Sequence, residues 1–158
     1  MNNLLSVAEL FHAMDANILP IRNNKVPAIE WASLQTNRQS IEELKSYDWS
    51  RCTGLGIVCG INGYTCIDID NAKDDDTRKK VLNVLGLEET YKWQVRSGSG
   101  SGYHIWIHLD EPLPVRNESG VIKGSSKDGS FKQIEIRWNE CQTLLPPSLH
   151  ASGNTYEW

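Results

Sequence analysis

Tyr64-Thr65-Cys66-Ile67-Asp68-Ile69-Asp70 is the stretch on which the fold of this chain turns. Side chains on a β-strand alternate between faces, so Ile67 and Ile69 share one face and Asp68 and Asp70 share the other. The isoleucines need a core, which leaves the aspartates together on the opposite face, about 7 Å apart at their Cα atoms. Carboxylates that close repel, so one keeps its proton or a cation sits between them. All-oxygen ligands of this kind suit Mg²⁺ or Mn²⁺. A D-x-D taken alone is short, and a solvated strand end running into Asn71-Ala72-Lys73 explains it more simply. The surrounding segments have to decide.

Just upstream, Leu55-Gly56-Ile57-Val58-Cys59 is a short apolar run and Gly60-Ile61-Asn62-Gly63 a turn, so residues 55–70 read as two strands. Downstream, Asp74-Asp75-Asp76 opens a helix that runs to about Leu85 and stops at Gly86. Acidic residues in a first turn favour the helix dipole, which makes this triple a cap and not a metal site. Further strands are predicted at residues 93–97, 103–109, 131–138 and 142–145. Ser97-Gly98-Ser99-Gly100-Ser101-Gly102 lies between the first two. Toward the N-terminus, Ser6-Val7-Ala8-Glu9 and Ser40-Ile41-Glu42-Glu43 carry capping-box spacing and start two short helices, the first to about Asp15. Between them, residues 18–21 are extended and Asn23-Asn24-Lys25 forms a turn. The pattern indicates an α+β fold with a largely antiparallel or mixed sheet, in one domain spanning residues 1–158.

Two of the later strands carry chemistry by the same alternation. In residues 131–138, Ile134 and Ile136 face one way, and Gln133, Glu135 and Arg137 the other. Glu135 is thus a third strand-borne carboxylate with a guanidinium beside it, and taken alone it reads as a cross-strand ion pair. In residues 103–109, His104, Trp106 and His108 alternate with Tyr103, Ile105 and Ile107. His108 reads as structural. His104 directly follows the Gly/Ser run, where a permissive backbone brings N–H groups close to an anion.

Composition bounds the rest. The chain has 158 residues, 39% hydrophobic and 23% charged, which is ordinary folded composition and not disorder. No apolar run approaches the roughly 18–20 residues that span a bilayer. The start, Met1-Asn2-Asn3-Leu4-Leu5, lacks a signal-peptide pattern, so a cytoplasmic location without membrane association is expected. A net charge of −4 argues against holding nucleic acid by bulk positive charge. Cys52, Cys59, Cys66 and Cys141 form no C-x-x-C pair. Cys59 and Cys66 are expected as buried thiols, while the even spacing of Cys52, Cys59 and Cys66 leaves a metal reading open.

Taken in order, these segments resemble a known family. A D-x-D at a strand end, a Gly-rich turn with G-x-H opening a strand, and an acidic residue in a later strand look like the three motifs of the archaeo-eukaryotic primase superfamily. The nearest branch is the bifunctional primase–polymerase (prim-pol) N-terminal domain. Lys25-Val26-Pro27 with Trp31 and Gln35 resembles its K-x-P…W…Q segment. Residues 54–60 leading into Cys66-Ile67-Asp68-Ile69-Asp70 resemble its G-x-G…G…hhDhD core. Ile134-Glu135-Ile136-Arg137, Pro146-Pro147-Ser148-Leu149-His150 and Gly153…Tyr156-Glu157-Trp158 resemble its closing E-I-R…PPS-x-H…G…Y-x-W run. The resemblance covers about residues 18–158. It departs at the longer Gly/Ser turn and at Gly102, where serine is common.

The resemblance implies an RRM-like sheet carrying the carboxylates, packed with an N-terminal α/β unit. It implies a template-directed nucleotidyltransferase, a DNA primase/polymerase in which Asp68, Asp70 and Glu135 hold two Mg²⁺ or Mn²⁺ ions. His104 would contact the triphosphate of an NTP or dNTP, and Ser97, Ser99, Ser101 and Gly102 would offer donors to its phosphates. Arg137 would face phosphate or sugar. Lys123, Lys127, Lys132 and His150 are candidates along a single-stranded DNA template or primer path. The chain is expected to be the N-terminal part of a larger replication protein, with a helicase or helical accessory domain as partner. The rival readings are a non-catalytic nucleic-acid-binding or replication-initiation module on the same fold, and a metal-dependent nuclease. The nuclease needs a clustered histidine pair, and His104 and His108 stand about 13 Å apart along a strand.

Overall fold

The computed structural model describes residues 4–113 and 120–158; Met1–Asn3 of the N-terminal segment considered above lie outside them. In chain order the strands are β1 (Ile18–Arg22), β2 (Val26–Pro27), β3 (Gly54–Cys59), β4 (Tyr64–Asp70), β5 (Gln94–Arg96), β6 (Tyr103–His108), β7 (Val121–Gly124), β8 (Gln133–Arg137) and β9 (Cys141–Leu145). Three α-helices accompany them: α1 (Leu4–Ala13), α2 (Ile41–Ser46) and α3 (Asp76–Val84). One sheet has the order β2-β1-β3-β9 and the other β5-β6-β4-β8-β7. Every pairing in both is antiparallel, so the α+β expectation holds. Among the described residues, no helix is long and apolar enough to cross a membrane.

The alternation in β4 divides the molecule. Ile67 and Ile69, with Ile105 of β6, pack with Leu82 of α3 into a small core on one face of the five-stranded sheet. On the other face, Cys66, Trp106 and Val95 join the main core with Ile18, Leu19 and Ile21 of β1 and Leu55, Ile57 and Val58 of β3. β4 is therefore buried on both faces, and its charged residues are confined to the end that carries Asp68 and Asp70.

Local signals explain most element ends. The Ser40 hydroxyl accepts the Glu43 N–H at 3.0 Å and caps α2. Asp74 accepts the Asp76 N–H at 3.0 Å, and Asp75 pairs with Arg78, so the acidic triple starts α3 as expected. Gly86, at φ 69°, supplies the left-handed residue beyond its end.

Two expectations need correction. Helix α1 is described from Leu4 onward, and Ser6 lies inside it. Leu4, Ala8 and Phe11 are its buried stripe, so apolar packing keeps Ser6 within the helix and outweighs the capping pattern. Residues 121–124 form strand β7, which was not expected. Only Val121 and Ile122 are partly buried there, too short an apolar signal to read, and pairing with β8 makes the strand.

The closing segment is held by one hydroxyl. Ser148 Oγ accepts the Leu55 N–H and donates to the Leu55 carbonyl, each at 2.9 Å, in a fully buried position. A Cβ at Gly54 would overlap the Ser148 side chain, so this glycine is required by close approach. Beyond it, Glu157 pairs with Arg96 of β5, and Trp158 stacks on Phe11 of α1 and meets Trp93 edge-on. Ser148→Ala removes both of these buried hydrogen bonds and should cost about 2–3 kcal/mol. Urea unfolding should show this as a lower midpoint at an unchanged m-value.

Candidate functional site

Strand register builds the site. On β4, Asp68 stands opposite His104 of β6 on one side and Glu135 of β8 on the other. Lys123 of β7 stands opposite Glu135, so one row across four strands carries His104, Asp68, Glu135 and Lys123. His104 Nε2 is 3.4 Å from Asp68 Oδ1, and Lys123 Nζ is 2.9 Å from Glu135 Oε1. Arg137, two residues along β8, bridges the middle: Nη1 is 3.8 Å from Asp68 Oδ2, and Nε is 3.2 Å from Glu135 Oε2. The Nε contact is an ion pair and not a hydrogen bond, since that N–H has no hydrogen-bond partner among the described residues. Glu135 thus pairs along its own strand with Arg137 and across strands with Lys123, so the simple cross-strand pair is only part of its environment. Asp70 lies at the exposed end of β4, on the same face.

Burial governs the protonation of this row. His104 is held well below the usual histidine range, at about 4, because the buried ring disfavours charge. Its Nδ1–H donates to the Leu144 carbonyl at 3.2 Å, which leaves Nε2 as a bare acceptor turned toward Asp68. Burial raises the Asp68 carboxyl; Arg137 opposes the shift and Glu135 reinforces it. Asp70 is also raised, first by burial and then by the Asp68 and Glu135 charges. Acidic groups lifted in this way mark a place where added positive charge is favoured.

A second group closes over the row. Tyr156 is buried, with its ring 5.3 Å from His104 and 5.9 Å from His150. The Lys25 ammonium lies beside the Tyr156 hydroxyl, and its charge reaches Asp68, Asp70, His104 and His150. Lys25 holds φ 64°, and its carbonyl accepts from Gln142 Nε2 of β9 at 3.3 Å, which fixes the turn that aims it. Lys25 and Tyr156 were not among the expected site residues. Their signal was present in the K-x-P and Y-x-W segments, but nothing in those segments says that residues 131 positions apart meet.

The Gly/Ser turn meets the end of β4: Ser101 Oγ donates to Asn71 Oδ1 at 3.1 Å, and Ala72 N–H donates to the Ser101 carbonyl. Several of its expected phosphate donors are spent within the turn itself. Ser97 N–H bonds the Gly102 carbonyl, Gly100 N–H bonds the Ser97 carbonyl, and the Ser97 and Ser99 hydroxyls bond each other. A Cβ at residue 102 would lie 2.6 Å from Ser97 Oγ and 3.1 Å from the Ile69 carbonyl, which explains glycine there instead of serine. His150 Nδ1 accepts the Ser152 N–H at 3.1 Å, so the neutral ring carries its proton on Nε2. Lys127 and Lys132 are exposed on the 125–132 turn and make no ion pair among the described residues; the Lys132 N–H bonds the Asp70 carbonyl. Cys59 and Cys66 are buried free thiols, as expected.

Metal fit follows from the donor set. Asp68, Asp70 and Glu135 supply the oxygen donors that Mg²⁺ or Mn²⁺ prefer, on one rigid sheet face. Among the described residues, no three His, Cys, Asp or Glu side chains already converge into a closed cage. Lys123 and Arg137 occupy the carboxylate oxygens instead. The donor chemistry fits a divalent ion once a side-chain cation yields its place.

A family model described as "Bifunctional DNA primase/polymerase, N-terminal" matches residues 8–158. No curated protein matches the chain.

The tautomers give a direct check. Long-range ¹H–¹⁵N spectra should show His104 neutral with its proton on Nδ1 at all pH values above its pKa of about 4, and neutral His150 with its proton on Nε2. A His104 ring that titrates near the model-peptide value, about 6.5, would contradict the buried geometry.

Proposed function

The chain belongs to the bifunctional DNA primase/polymerase N-terminal family, and from that membership we propose that it is a template-directed nucleotidyltransferase. It would join a 3′-hydroxyl to the α-phosphate of an NTP or dNTP and release pyrophosphate. The observation that carries this reading is the cross-strand row that aligns Asp68 and Glu135, with Asp70 on the same face and cations beside them.

Asp68, Asp70 and Glu135 would hold two divalent ions, which when bound supply Lewis acidity at the attacking hydroxyl and charge neutralisation at the leaving phosphates. The chain's own residues supply positioning and fixed charge, the main protein contribution to phosphoryl transfer. Arg137, tied to the Gln142 carbonyl at 3.3 Å, keeps Asp68 and Glu135 in place. His104 is locked by Leu144 and Tyr156, and its uncharged Nε2 faces the carboxylates without adding a competing positive charge. Lys25, across from the row, is the cation best placed to meet the triphosphate. Lys127 and Lys132 would line the template or primer strand.

Primer extension with Mg²⁺ or Mn²⁺, using NTPs and dNTPs separately and with and without a primer, tests the reading. Asp68→Ala and Asp70→Ala should each lower incorporation by at least about 10²-fold. Equal incorporation by these variants would remove the site. Tight single-strand binding without incorporation by the wild type would favour the binding-module reading. Lys25→Met should raise the nucleotide KM about tenfold or more with kcat less affected, the size of one charged hydrogen bond.

A further inference from the structure

We propose that Lys123 is the exchangeable counter-ion of the carboxylate row. It neutralises Glu135 while no divalent ion is bound, and it leaves Glu135 for a backbone phosphate of the nucleic acid when one binds. The inference rests on the reading of Asp68, Asp70 and Glu135 as the ion-holding set, and it concerns what occupies that set beforehand.

The asymmetry of the pair is the first argument. Lys123 Nζ is 2.9 Å from Glu135 Oε1, yet the lysine side chain is 58% exposed and the glutamate only 9%. Glu135 is therefore fixed in the sheet, while the lysine reaches in from solvent and can swing out without uncovering any core. Lys123 also sits on β7, which among the described residues pairs only with β8 and forms an edge of the five-stranded sheet. Its neighbours on the same hairpin, Lys127 and Lys132, are exposed and make no ion pair among the described residues, so a released Lys123 joins two cations that already face solvent.

The other two cations are placed differently. Arg137 is 28% exposed, donates to the Gln142 carbonyl and touches Asp68 and Glu135 together, so its departure would strand two buried acids. Lys25 is directed by its left-handed backbone and by the Gln142 contact, and it stands beside Tyr156. Of the three, only Lys123 combines direct occupation of a carboxylate oxygen with a solvent-borne chain.

Charge gives the reason for exchange. Three carboxylates face Lys25, Lys123 and Arg137, so the row is balanced before any ion arrives. A divalent ion binding the bare protein must displace a cation or leave excess positive charge in a partly buried site. Lys123 is the one that yields, and the ion then takes the Glu135 oxygen it vacates. Binding of the ion to the protein without nucleotide is weakened by this competition.

Mn²⁺ binding to the full chain without nucleotide, followed by the EPR signal of free Mn²⁺, tests the exchange. Lys123→Met should bind Mn²⁺ about fivefold more tightly than wild type, the scale of one partly exposed ion pair. Lys123→Arg, which keeps the charge, should stay near wild type. In a Glu135→Gln background the methionine substitution should give no gain. Thermal unfolding of each variant confirms that it is folded, and Lys123→Gln serves as a second neutral variant. Equal or weaker Mn²⁺ binding by folded Lys123→Met and Lys123→Gln overturns the proposal. Absence of Mn²⁺ binding to every protein also overturns it. The parent reading is judged separately, by wild-type primer extension against Asp68→Ala.

Discussion

Asp68 is a carboxylate on the central strand of a five-stranded sheet, and keeping it there is the constraint to which the surrounding structure answers. Burial drives its pKa upward, and the Glu135 charge adds to the rise. Arg137 counters that from the next strand, and a neutral His104 faces it from the other side. His104 in turn is oriented by the Leu144 carbonyl of β9, a strand of the other sheet. The acidic centre therefore links the two sheets through the His104 imidazole and through Arg137, which donates to the Gln142 carbonyl of the same strand, so whatever fixes β9 also fixes the site.

That linkage gives physical content to segments that otherwise read only as a family pattern. The PPS segment places Ser148 against both backbone groups of Leu55, which pins the start of the closing loop to β3. The closing Y-x-W divides its work: Tyr156 lies against His104 and His150, while Trp158 covers Phe11 and Trp93 at the far side of the main core. The K-x-P segment forms a turn whose lysine faces the acids and whose carbonyl is held by β9. The three segments converge on the carboxylate row, from strands and loops widely separated in the chain.

Electrostatics explains why so acidic a patch can exist in a folded protein. Burying like charges is costly unless cations or protons offset them. Here the offset comes from guanidinium and ammonium groups of differing exposure, one half-buried beside the acids and one reaching in from an edge strand. The arrangement pairs the carboxylates within the sheet itself.

The sequence by itself determined the faces. Period-two alternation put Asp68 with Asp70 and Glu135 with Arg137 and the intervening isoleucines on the opposite face, and the capping residues marked α2 and α3. Those outcomes are local, set by strand geometry and by orphan N–H groups within a few residues. Strand β7 and the helical place of Ser6 escaped because their signals are short or were outweighed by apolar packing. Only the tertiary structure decided register: that Asp68 lies between His104 and Glu135, that Lys123 meets Glu135, and that Lys25 reaches a tyrosine 131 residues away. Register between distant strands depends on the whole set of core contacts and closing loops, and no alternation within one strand encodes it.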